Sequence, residues 1–124
     1  MTIHPIEGDL PISGGVRSYP TFRNHAGGTS TIAVTNVNKM GAGAPTAAAS
    51  ANRYIRFGLR NTGGSQIASV QINPGQWGHN MIFRRSNNSA NIPSGRYALN
   101  GRSEKFSGTY LHPHRYFKGS LKLT

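Results

Sequence analysis

This sequence predicts an all-β fold, a small antiparallel sandwich of about eight short strands, and three observations carry that expectation. Apolar and polar residues alternate at period two through much of the chain, which sends successive side chains to opposite faces of a strand. Sixteen glycines and seven prolines punctuate the 124 residues, more than helices tolerate, because glycine loses the most backbone entropy on ordering and proline removes a donor. Clusters of turn-forming residues separate almost every alternating run.

The clearest run is 53–60, where Ile55, Phe57 and Leu59 share one face and Tyr54, Arg56 and Arg60 the other. Asn61-Thr62-Gly63-Gly64 then reads as a turn, and 65–72 returns with Ala68, Val70 and Ile72 together, so the pair is a predicted hairpin. Further strands are predicted at 15–23, 30–37, 78–85, 95–101, 105–111 and 115–123. Pro20 confines the strand that contains it to a sheet edge, since it cannot donate to a ladder. In the last strand Phe117, Leu121 and Leu123 fall on the core side and Tyr116, Lys118 and Lys122 outside. Eight short strands at near-regular spacing point to a jelly-roll-like double sheet. Residues 1–14, broken by Pro5, Pro11 and Gly14-Gly15, are expected to form an irregular arm, and the Gly/Ala-rich stretch 41–51 a flexible connector within a single domain at 15–124.

With a mass of 13.3 kDa the chain has material for one domain. Its hydrophobic fraction of 35% is enough for a thin two-layer core and not for a deep one. There is no cysteine, so neither disulfides nor thiolate metal sites can staple the fold. The segment 1–10 carries Glu7 and Asp9 and no apolar stretch, so a secretory signal is not expected, and no run approaches the roughly 20 apolar residues of a membrane span. A location in a virion or the cytoplasm is the corresponding expectation.

Charge narrows the choice of partner. Fourteen Lys plus Arg oppose three carboxylates, for a net charge of +11, and 10–103 contains no acid at all. Such a stretch cannot neutralise itself, and its self-repulsion favours an anionic partner or counter-ions. Arg53, Tyr54, Arg56, Arg60, Tyr116, Lys118 and Lys122 are the candidate nucleic-acid or anion-binding residues, because guanidinium forks pair with phosphates and tyrosine faces stack on bases. Arg84, Arg85, Arg96 and Arg102 are further candidates for the same patch. A solvated basic strand face is the plainer alternative.

Sites for chemistry are sparse. His112 and His114 flank Pro113 without a nearby carboxylate or cysteine, which falls short of a usual metal site and suits a turn corner. Glu104 has Arg102 and Lys105 as neighbours, and with the other two acids in the arm few carboxylates remain for acid/base work. No Gly-Lys-Ser/Thr sequence supports a nucleotide loop. Neither enzymatic activity nor a cofactor is expected. Trp77, the lone tryptophan, and Tyr110 are candidate partner-binding residues at a sandwich rim, although a single Trp beside a turn more often plugs one end of a core.

Two resemblances extend these readings. The succession from Tyr54 to Gln76 of strand, Asn-Thr-Gly turn, strand and Pro-Gly-Gln turn, followed by Ile92-Pro93-Ser94-Gly95, resembles the small single jelly-roll proteins of phage and virus capsids. That resemblance implies a non-enzymatic structural subunit of a virion, contacting neighbouring subunits of a larger assembly and nucleic acid. Asn61-Thr62-Gly63, Trp77-Gly78, Gly101-Arg102-Ser103 and Gly108-Thr109 stand in an order similar to that of the aegerolysins, membrane-lipid-binding sandwiches. Asn100 replaces the cysteine usual in that family, and the family is acidic where this chain is +11. The alternative this implies is a stand-alone lectin-like or membrane-lipid-binding module.

Overall fold

A computed structural model describes residues 2–10, 16–41, 44–48, 53–73, 76, 78–105 and 114–124. Every regular element among them is a strand: β1 (Thr2–Asp9), β2 (Arg17–Ser18), β3 (Arg23–His25), β4 (Thr31–Gly41), β5 (Ala44–Ala48), β6 (Arg53–Asn61), β7 (Gln66–Ile72), β8 (Met81–Ile82), β9 (Gly95–Lys105) and β10 (His114–Leu123). They form two five-stranded antiparallel sheets. The first runs β1-β10-β4-β5, with β8 also paired to β4, and the second runs β2-β9-β6-β7, with β3 also paired to β9.

One apolar core is shared by both sheets. Ile6, Ile32, Val34, Phe117, Leu121 and Leu123 come from the first, and Ile55, Phe57, Leu59, Val70, Ile72 and Leu99 from the second. These side chains sit at alternate positions, as the period-two pattern requires. The Phe57 and Phe117 rings meet edge to face across the core, with centroids 4.9 Å apart, a favoured arrangement for aromatic quadrupoles.

The β6–β7 hairpin forms at the predicted turn. Asn61 N–H donates to Ser65 O, Gly64 N–H donates to Asn61 O, and the Asn61 side chain accepts from Ser65 N–H. Gly64 sits at φ +87°, the left-handed region where glycine carries no Cβ penalty. Pro20 falls between β2 and β3, and both short strands pair only with β9 at the sheet edge, the position its missing donor permits.

Four expectations are corrected. Residues 2–9 are not an irregular arm: they form β1, in continuous register with β10 from Thr2↔Leu123 to Asp9↔Tyr116. An edge strand tolerates Pro5, and burial of Ile6 and Leu10 anchors the segment. Within 41–51, residues 44–48 form β5 against β4, because an open sheet edge offers ladder partners even to an Ala-rich segment. The predicted strand 78–85 contracts to β8 plus an isolated Ser69↔Arg84 bridge. The predicted strands 95–101 and 105–111 are not separate at their junction, since β9 continues through Lys105; 106–113 lies outside the described residues.

Two tethers close the molecule near its edges. His25, 3% exposed, accepts at Nδ1 from Thr124 N–H and contacts Gly28 O through Nε2, while Thr124 Oγ1 donates to Gly27 O. Tyr19 links the sheets: its N–H donates to Leu99 O, its ring packs edge-on against Phe117, and its hydroxyl donates to Asp9 O at 2.6 Å. Burial raises the Tyr19 phenol above its ordinary pKa of 10.0; nearby Arg17 opposes the shift and Asp9 adds to it. A pKa raised on folding means that ionising the phenol opposes folding, so this contribution is intact below about pH 10 and is lost as pH rises above it. Chemical denaturation across alkaline pH should therefore show a steeper loss of stability for the native chain than for Tyr19→Phe.

Candidate nucleic-acid interface

The outward face of the second sheet is set by β6 and β9. Because Ile55, Phe57 and Leu59 point into the core, Arg56 and Arg60 must point out, and both are half-buried there. The register places Arg56 opposite Gln71 on β7 and opposite Arg102 on β9. Two like charges thus stand directly opposite one another on the ladder, an arrangement that repels, and Arg102 also has a partner of its own.

The next row gives the face its shape. Gly58 pairs with Asn100 on β9 and Ser69 on β7. A Cβ at Gly58 would collide with the side-chain amides of Gln66 and Asn100, which lie over its bare backbone. Glycine is what lets these two amides lie against the strand. A groove of about 170 Å³ results, lined by Val16, Arg56, Gln66, Asn100 and Arg102.

Arg56 is held from one side. Its Nη2 donates to Gln71 Oε1 at 2.8 Å, Gln71 Nε2 donates to Asn73 Oδ1, and Asn73 N–H donates to Gln76 Oε1. Its Nε is buried without a hydrogen-bond partner. Arg60 is engaged differently: Nη2 donates to Tyr19 O at 2.9 Å, and the guanidinium lies 5.1 Å from the Phe22 ring centroid. With Ala98 fully buried opposite it, Arg60 closes this end of the face.

The candidate residues are thus divided between two surfaces. Arg53, Tyr54, Arg56 and Arg60 belong to β6, whereas Tyr116, Lys118 and Lys122 belong to β10 in the other sheet. The outward faces of two sheets around one core point apart, so the two groups do not share one face. Lys118 is exposed opposite Glu7 of β1 and Asn36 of β4, and Lys122 is half-buried opposite Ile3 and Thr31. Arg53 pairs through its backbone with Lys105, Tyr54 with Glu104, and Tyr116 with Asp9. Trp77 and Tyr110 lie outside the described residues, as do His112 and Pro113.

Arg102 joins Arg56 as expected of a further candidate; Arg96 is exposed opposite Asn24. Arg84 and Arg85 follow β8, with Arg84 Nη1 donating to Asn88 O. Gln66, Asn100 and Gly58 carry no charge or spacing that marks them in the sequence; cross-strand register alone assembles them.

No helix among the described residues is long and apolar enough to cross a membrane. Comparison with known protein families, with curated proteins and with solved structures finds no match to this chain.

Proposed function

We propose that this chain is a jelly-roll assembly subunit, a non-enzymatic structural protein of a virion or capsid whose basic surface contacts neighbouring subunits and nucleic acid. The observation that carries the reading is the order of pairing. β1 pairs with β10, β2 and β3 with β9, β4 with β8, and β6 with β7. The two halves of the chain thus run beside each other as one long antiparallel ribbon folded at the 61–65 turn. Successive rungs alternate between the first sheet and the second, which is how a ribbon wrapped into a double Greek key distributes its strands.

That architecture serves capsid, lectin and cupin domains alike, so the fold does not choose the function. Charge makes the choice. With a net charge of +11 and its only carboxylates on β1 and β9, the surface suits polyanions and neighbouring subunits better than neutral glycans. Among the described residues, β1 and β5 end the strand order of the first sheet and offer further places for subunit contact. Light scattering at moderate salt is expected to find oligomers or larger particles. A monodisperse monomer at every ionic strength, carrying neither protein nor nucleic acid through purification, would overturn the reading.

A further inference from the structure

We propose that Arg56, Arg102, Asn100 and Gln66 form a seat for a phosphate of a nucleic-acid backbone, built over the bare backbone of Gly58. The inference deepens the assembly reading and rests on it for the identity of the polymer.

Three observations converge on this groove. First, it brings two guanidinium groups from directly opposed positions into one concavity with two side-chain amides. Every one of these groups supplies N–H donors. A tetrahedral anion with several acceptor oxygens satisfies them together, and arginine forks match phosphate geometry. Second, Asn100, 8% exposed, lies with Gln66 over the bare backbone of Gly58 and lines the groove beside both arginines, so its amide nitrogen can donate to an anion seated there. Third, Arg56 reaches Gln71 through one nitrogen while its Nε is desolvated and unpartnered. Its charge is therefore under-compensated from within the protein.

The volume fits. About 170 Å³ is several times the roughly 30 Å³ share of one water, enough for a phosphate and its bridging solvent. Tyr54 stands two residues before Arg56 and so shares its face of β6. Lys118 and Lys122, on the other sheet, are outside this seat.

Binding of a fluorescein-labelled oligothymidylate, followed by anisotropy over a salt series, tests the assignment. Each neutralised phosphate contributes roughly −0.7 to the slope of log affinity against log salt on single strands. The expected result is that R56Q/R102Q reduces the magnitude of that slope by about one to two, while K118Q/K122Q leaves it unchanged. Circular dichroism of R56Q/R102Q should show the native strand signal, so that a reduced slope reports binding and not unfolding. Asn100→Asp supplies a second, nearly isosteric probe and is expected to weaken binding at least about tenfold by placing a negative charge in the seat. The proposal is overturned if the native chain does not bind at low salt, if R56Q/R102Q retains the native slope, or if K118Q/K122Q carries the loss instead. Competition by inorganic phosphate on equal terms with oligonucleotide phosphate would assign the seat to a free anion and also overturn it. Light scattering on the same variants separates the two readings: particles that persist while the slope is unaffected defeat the seat alone, and a slope that changes in a strict monomer defeats the assembly reading alone.

Discussion

Phe117→Ala is expected to destabilise the fold by about 3–5 kcal/mol, the range for emptying a buried aromatic site. Phe117 is fully buried in β10, meets Phe57 of the opposite sheet at 4.9 Å and Tyr19 at 5.6 Å, and so touches every layer of the core. Nothing small nearby can refill the space, because the facing positions are held by strands in fixed register. A domain of this size has only about 5–15 kcal/mol to lose, so the urea midpoint should fall by more than about 1 M. A double-mutant cycle with Phe57→Ala should show coupling of about 0.5–1.5 kcal/mol beyond area burial. Additive losses would mean that the two rings stabilise their own sheets and do not hold the sheets together.

The core faces of β6 and β10 were legible because period-two alternation is a local property. Ile55, Phe57 and Leu59, like Phe117, Leu121 and Leu123, are all fully buried, and a strand that covers one core cannot present them any other way. β1 was illegible for the opposite reason. Its local signals, Pro5 and Gly8, argue against a strand, and only Ile6 within it is buried. What makes it a strand is β10, more than a hundred residues away in sequence, and no local pattern encodes a partner at that distance.

The site divides in the same way. That Arg56 faces outward follows from Phe57 facing inward. That Arg56 meets Arg102, while Lys118 and Lys122 lie elsewhere, depends on which strands share a sheet. Alternation says which face a residue occupies and leaves the identity of the sheet open. Asn100 and Gln66 are less legible still, because a neutral amide signals nothing until a glycine across the ladder gives it room. The density of glycine was read as turn chemistry, and at Gly64 it is; at Gly58 and Gly119, both inside strands, it serves close packing.

Those two glycines are expected to behave differently when given a methyl group, with a large loss of stability at only one of them. A Cβ at Gly119 would strike the carbonyl oxygen and carbon of Ala33 and come within 2.9 Å of Val34 Cα. All three are backbone atoms of β4, and Gly119 sits where the β10–β4 register shifts after Lys118. Backbone in a central ladder cannot give way without breaking its hydrogen bonds, so Gly119→Ala should cost on the order of 3 kcal/mol or more, beyond ordinary overpacking. At Gly58 the obstacles are the ends of the Gln66 and Asn100 side chains, and exposed Gln66 can rotate aside. Gly58→Ala should therefore remain folded, with a urea midpoint well above that of Gly119→Ala, while oligonucleotide affinity falls because its two amides have moved. Equal midpoints for the two variants would show that β4 and β10 separate more readily than their shared register implies, and that the bulge at Gly119 is a soft joint in the first sheet.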